Sequence, residues 1–416
     1  MRSRSARLKG FRRWRTVAPA VLLLAAGLAG CASNPTPPDD SNHAPQVTQI
    51  SILGDKPVVA AGSFNVTLQA QTADVDGDAL TLSWSGPGNF HGVNNAAKTV
   101  LWDVPADQYG DLTVTCTASD GDLSGSRDRS FAVGRAITAA DYGTPVNGTI
   151  TWSTADSPFY ILKVPVDIPV DVKLVIAPGT TIWCESASQL SVLGELEALG
   201  TSTQQITFKP YAAPTTLQDY WLGVSMEAGA RAANLEWCNI YNANVGLSLA
   251  LGTQDPALVS IVYFLNCKKG VVAGFGGVEV SGCRIEGFAQ GVVADDCEVD
   301  IHNCTFVDGS ESSLILRGGS TGPCTGNVMT DVAAPIVNLA ASYPQLNYNS
   351  FYGTGVAIAV GGGYGTDPAP VDARCNYWGD GLSEGGVVGR ISISGTDPAD
   401  VLYDPWRDSV SADCSF

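Results

Sequence analysis

CRIEGFAQGVV, residues 283–293, has close relatives throughout the second half of the chain. An apolar anchor recurs as Ile240, Phe264, Ile285, Phe306, Met329, Phe351 and Trp378, at spacings of 24, 21, 21, 23, 22 and 27 residues. Two positions before each anchor stand Cys238, Val262, Cys283, Cys304, Asn327, Asn349 and Asn376. Six positions after the anchor, the first three copies carry Gly246, Gly270 and Gly291. Aliphatic pairs follow, as in VGLSL, GVVA, SLIL and VAIAV.

A period near 22 with two short strand signals and no helical periodicity marks a β-solenoid. One such coil cannot bury its apolar side alone. Stacking at about 4.8 Å per rung closes the backbone hydrogen bonds and aligns like residues into ladders. Each inward Leu, Ile, Val or Phe then contributes roughly 1.5–3 kcal/mol. Cys238, Cys283, Cys304, Asn327, Asn349 and Asn376 are expected to form one such ladder, with the Asn side chains bonding to the rungs above and below. The three glycines are expected to relax a tight corner.

Upstream, VKLVIAPGTTIW (172–183), QLSVLGELEALGT (189–201), QITFKPY (205–211) and YWLGVSM (220–226) follow a related rhythm, and the chain ends with NYWGD (376–380) and YDPW (403–406). In these motifs residues 172–410 resemble the right-handed parallel β-helix proteins of the pectate-lyase, carbohydrate-binding and sugar-hydrolase group. The resemblance implies an all-β fold, with residues 135–171 as connector and N-terminal cap and with Trp378 and Trp406 plugging the far end.

Residues 45–134 alternate in short stretches such as FNVTLQA, ALTLSWS, TVLWDVP and DLTVTCTAS, separated by turn residues. With DVDGDALTLSW and the later VTCTASDG, this stretch resembles bacterial Ig-like β-sandwich modules of the PKD and cadherin-like kind. Asp74, Asp76 and Asp78 alternate as calcium ligands do at the start of an EF-hand loop, although the rest of that loop, including its Glu at position 12, is absent. The competing reading is a polar turn in which Asp caps backbone N–H groups and Gly77 takes a positive φ. Trp84 and Trp102 are expected in the core of this module.

The N-terminus reads as a targeting segment. Residues 1–15 hold seven Lys or Arg and no acid, and an apolar run follows to Leu28-Ala29-Gly30-Cys31, which resembles a bacterial lipobox. On this reading residues 1–30 are a signal peptide, Cys31 is lipidated, and 31–44 is a Pro- and Asp-rich tether. The remaining chain has 16 Lys and Arg against 41 Asp and Glu, a net of −25. Such a surface disfavours nucleic acid and anionic membranes, so membrane contact is expected through the lipid alone. The cell envelope is the expected location. Ala32 and Ser33, which lack the acidic residue that retains lipoproteins at an inner membrane, favour the outer membrane or cell surface.

Ten cysteines follow Cys31, and Cys283 and Cys304 are expected as buried stacked thiols rather than a disulfide, because in-register side chains point in parallel. The three histidines, His43, His91 and His302, lie far apart, and the sequence offers no zinc site. Fold alone confers no activity. Resemblance to polygalacturonases implies clustered Asp with Gly-His-Gly and Arg-x-Lys elements; Asp295-Asp296 matches the first and nothing matches the others. A lyase needs an Arg or Lys base beside calcium-binding carboxylates. Arg284 and Arg317, with Asp295, Asp296, Asp300 and Asp308, are the candidates. Tyr263, Phe288 and Tyr352 are candidate sugar-stacking aromatics. The expectation is a non-catalytic role in glycan binding, adhesion or envelope architecture. A polysaccharide lyase or glycoside hydrolase acting on an extended acidic glycan is the alternative, and a ligand-free scaffold the third.

Overall fold

The computed structural model describes residues 41–138, 148–250, 256–339, 341–364, 369–395 and 399–407, together with Ser409 and Cys414. Cys31 and residues 1–30, read above as a signal peptide, lie outside the described residues. The described residues are almost entirely β, with one short α-helix at Glu384–Val388, a 3-10 turn at Leu217–Asp219 and a parallel β-solenoid of about ten turns.

Each turn has three strands on three faces. Face one begins with Gly148–Trp152, Val172–Ile176 and Glu195–Leu199, stacked in parallel register. Face two runs from Phe159–Leu162 through Thr181–Cys184, Ile206–Pro210, Cys238–Tyr241 and Tyr263–Leu265 to Ser350–Tyr352. Face three runs from Val166–Ile168 and Gln189–Val192 to Ile358–Val360 and Ile391–Ile393. Parallel pairing starts upstream of the expected residue 172: Gly148–Trp152 and Phe159–Leu162 are already rungs, and Arg135–Ile137 pairs with Tyr160–Leu162.

The anchors form one inward row on face two. In register, Tyr160, Ile182, Phe208, Ile240, Phe264, Ile285, Phe306, Met329 and Phe351 stand directly over one another, each no more than 1% exposed. Strand alternation forces this, since a one-residue slip would turn the whole row to solvent. Trp152 stacks on Tyr160 at one end, with ring centroids 5.5 Å apart. At the other, Trp378 packs on Phe351 at 5.1 Å, while Trp406 is partly buried beside Tyr403.

Side chains at the Cys/Asn positions bond from rung to rung, and the reason for their mixture is visible. Cys304 Sγ donates to the Val280 carbonyl at 3.3 Å, and Asn327 Nδ2 donates to the Ile301 carbonyl at 2.9 Å. Each reaches the rung before it. In return, Asn327 Oδ1 accepts the Cys304 N–H at 2.9 Å, and Cys283 Sγ accepts the Val262 N–H at 3.4 Å. Thiol and amide share the slot because each can both donate and accept there. Cys283 and Cys304 are free thiols, and the disulfide joins Cys375 to Cys414.

The glycine expectation needs correction. Gly246, Gly270 and Gly291 do not take positive φ. A Cβ on Gly246 would lie 2.6 Å from the Phe264 ring, and one on Gly291 would lie 2.4 Å from the Ser313 carbonyl. These positions need space for the anchor row, not left-handed backbone.

Residues 46–137 form two sheets, antiparallel except where Val59–Ala60 runs parallel to the last strand, over one core that includes Leu68, Trp102, Val114, Cys116 and Val133. Their last strand, Ser124–Ile137, continues into the solenoid's first rung. Val58, Ala60 and the outward-facing Ile161 bury one another at this junction, with Trp183 and Tyr211 packed around them. Tyr211 Oη donates to the Val58 carbonyl at 2.6 Å. A shared strand, an apolar contact and a hydrogen bond therefore link the two parts.

Candidate functional site

The outward positions flanking each anchor decide what face two presents. One position before the anchors, the rows read Thr207, Asn239, Tyr263, Arg284 and Thr305 in register. One position after them stand Lys209, Tyr241, Leu265, Glu286, Val307, Thr330 and Tyr352. Past the junction, aromatic and hydrogen-bonding side chains concentrate on adjacent rungs. Lys209 Nζ lies 3.9 Å from the centroid of the Trp183 ring, a cation–π contact. Burial lowers the Lys209 pKa. Asn239 Nδ2 donates to Gln205 Oε1 at 2.8 Å. Tyr241 and Tyr263 meet edge to face at 6.0 Å.

The next rung closes a small network. Tyr263 Oη donates to Glu286 Oε2 at 3.0 Å, and Arg284 holds the same oxygen through Nε at 2.9 Å and Nη2 at 2.7 Å. The Arg284 bonds, reinforced by Tyr263, hold the Glu286 carboxyl below the usual carboxylate range. Burial, and then the Glu286 bond, push the Tyr263 phenol up. Glu286 is thus fixed as an anion, the opposite of what a general acid near neutral pH requires. From Trp183 to Arg284 the strip crosses four rung steps, about 19 Å at the inter-strand spacing. It offers partly exposed rings and fixed donors and acceptors on adjacent rungs, on either side of the anchor row.

The sequence-derived acid and base candidates fall on different faces. Arg284 is on face two, paired with Glu286. Asp295 ends a face-three strand and pairs with Arg317, one rung on, at 2.9 Å. Asp300 is on face one, 2.8 Å from His302 Nδ1. Asp296 and Asp308 occupy left-handed corner positions at φ 53° and 55°. The faces separate Arg284 and Asp300 from the Asp295–Arg317 pair and its chain neighbour Asp296.

The aromatic candidates divide too. Phe288 is corrected to a core residue: it is 2% exposed and meets Phe306 edge to face at 6.1 Å. Tyr263 lies on the strip, and Tyr352 is 38% exposed, 5.6 Å from Tyr377. Tyr241, Glu286, Lys209 and Trp183 were missed. Their signal was present, because each stands next to an inward residue of the face-two row, and alternation places it outside.

Asp74, Asp76 and Asp78 come together, each offering an oxygen within 4.8 Å of the others. Asp74 Oδ1 accepts the N–H groups of Asp76, Gly77 and Asp78 at 3.0, 2.7 and 3.2 Å, and Gly77 takes φ +79°. These are the hydrogen bonds of the turn reading. Trp102 is fully buried, with Nε1 donating to the Pro87 carbonyl at 2.8 Å, and Trp84 is partly buried against the same core.

No protein-family model matches this chain. No curated protein matches it either. Among solved structures, an endo-fucoidan hydrolase of glycoside hydrolase family 107 is similar at 23% identity and a TM-score of 0.18, over 32% of this chain and 18% of that one. The chain spans less than a fifth of that protein, and a likeness of this size carries no argument about activity.

Proposed function

We propose that this is a lipid-anchored protein of the bacterial cell envelope, in which an Ig-like module and a right-handed parallel β-helix form one arm that binds a glycan without cleaving it. The observation carrying this reading is the strip on face two: Trp183, Lys209, Tyr241, Tyr263, Arg284 and Glu286 align stacking and hydrogen-bonding groups, while the acid and base candidates are paired off on separate faces. Aromatic rings offer sugars flat apolar faces, and fixed polar groups beside them supply direction. A linear strip suits an extended polymer.

The test uses the chain without residues 1–30, applied to a panel of neutral and acidic polysaccharides. Retention is expected without new reducing ends or new unsaturated ends absorbing in the near ultraviolet. Replacing Tyr241 and Tyr263 together by Ala should abolish retention while leaving the circular dichroism spectrum unchanged. Appearance of either kind of new end would favour the lyase or hydrolase alternative, and inertness toward every glycan would favour a scaffold. Cys31→Ser in the full chain should move the protein from the membrane fraction to the soluble one; continued membrane attachment would defeat the lipid anchor.

A further inference from the structure

Arg390 is a buried cation of the solenoid. It follows the short helix Glu384–Val388, precedes the strand Ile391–Ile393, and is only 5% exposed. Its Nε donates to the Gly355 carbonyl at 3.0 Å, and Nη1 donates to the carbonyls of Phe351 and Trp378. Among the described residues it has no carboxylate partner, and Nη2 donates to none of them. Carbonyl dipoles compensate a guanidinium only in part, so a buried one normally has an anion against it.

The guanidinium borders a cavity of about 440 Å³ at the edge of face two, whose lining also includes Asp331, Pro335, Tyr352, Thr354 and Gly355. Asp331 is exposed and makes no ion pair with Arg390. Tyr352 supplies an exposed ring. It also lies in the same outward row as Glu286, Val307 and Thr330, three rungs beyond Glu286, or about 14 Å along the face. A sugar-sized space with an unneutralised cation and an aromatic ring thus lies in line with the strip described above.

We propose that this cavity is a subsite for an acidic sugar unit, with Arg390 Nη2 donating to the oxyanion of a uronic acid carboxylate or a sulfate ester and Tyr352 bearing on the sugar ring. The inference rests on the glycan-binding reading and names the ligand class for one end of it. Without residues 1–30 the chain has a net charge of −25, which repels dense polyanions, so the fitting polymer carries its anionic groups sparsely.

The test titrates the full chain by calorimetry with glucuronic acid, glucose 6-sulfate, inorganic sulfate and glucose. At least one acidic sugar is expected to bind at a single site, and glucose is not; which acidic sugar binds identifies the source of the oxyanion. Arg390→Met should weaken that binding at least about tenfold, as loss of a charge-assisted hydrogen bond does. Tyr352→Ala, at an exposed position, should weaken the sugar as well and leave inorganic sulfate unchanged. Equal affinity in either variant, or binding of inorganic sulfate with neither acidic sugar, would overturn the proposal. If Arg390→Met fails to fold, the Tyr352→Ala comparison decides alone. Retention of neutral polymer through Tyr241 and Tyr263 is read separately, so the cavity can fail while the strip stands, and the reverse.

Discussion

Asn349 Oδ1 accepts both the backbone N–H and the side-chain Nδ2 of Asn327, one rung away, each at 3.0 Å. Asn349 in turn donates from Nδ2 to the Cys324 carbonyl at 2.8 Å, and its N–H reaches Asn376 Oδ1 at 2.7 Å. All three side chains are fully buried. Asn349→Ala takes the side-chain partner from the buried Asn327 N–H and from the Cys324 carbonyl, while the Asn327 amide keeps its bond to the Ile301 carbonyl. Each orphaned group costs about 1–3 kcal/mol, so a loss of roughly 2 kcal/mol or more is expected in urea denaturation. A midpoint equal to the wild type's would refute the ladder.

Gly291 and Gly385 should respond oppositely to Ala. At Gly291 the new methyl meets the Ser313 carbonyl at 2.4 Å and the Phe306 ring at 2.8 Å, and rigid rungs cannot yield cheaply. Destabilisation of about 1–3 kcal/mol is expected, as for overpacking elsewhere. Gly385 lies inside the short helix, where a methyl would meet nothing within 4 Å, and there Ala should stabilise by up to about 1 kcal/mol. Thermal midpoints of the two variants, taken side by side, settle the matter.

The described free thiols should be silent in the folded protein. Burial pushes Cys116 and Cys297 up to about 11 and Cys238 and Cys267 up to about 12, leaving little thiolate near neutral pH. An aromatic disulfide reagent should modify them only after unfolding. Reducing Cys375–Cys414, which are 39 residues apart, should lower stability by about 3–4 kcal/mol in the chain-entropy picture. Rapid modification of the buried thiols without denaturant would contradict their packing.

Asp372 should give the solenoid's far end a dependence on acid. Side-chain bonds from Arg374, at 2.9 and 2.8 Å, are the main reason its carboxyl is lowered to about 2, and Asn347 Nδ2 adds another at 3.1 Å. Its folded pKa lies below the unfolded value of about 3.9, so the contribution is fully present above about pH 4 and is lost as pH falls toward 2. For this partly exposed group a contribution of about 1 kcal/mol is expected after solvent screening. In Asp372→Asn the slope of stability against pH between 4 and 2 should be shallower; an unchanged slope would remove Asp372 from the account.

The solenoid was legible in the sequence because its signal is repeated. Ile285 and Phe306 stand in register on neighbouring rungs, as the period demanded, and each further copy of the anchor strengthened the reading. Repetition also fixed the Cys and Asn slot, since residues spaced by one period must share one position in a stacked coil. The same rule, applied to the neighbours of each anchor, would have placed Tyr241 beside Tyr263 and Glu286 beside Arg284. What it could not supply was the partner of any one side chain. Nothing in the spacing of Asp295, Asp300 and Arg284 says that corners separate them onto three faces, or that Phe288 turns inward. The left-handed corners and the rung lengths decide that, and they vary from turn to turn. Nor could a linear sequence show Arg390 buried among carbonyls contributed by Phe351, Gly355 and Trp378, or Tyr211 reaching back 153 residues to Val58. Periodic contacts are written once per repeat and can be read from the chain. Contacts made once, between residues far apart in sequence, exist only after the coil has closed.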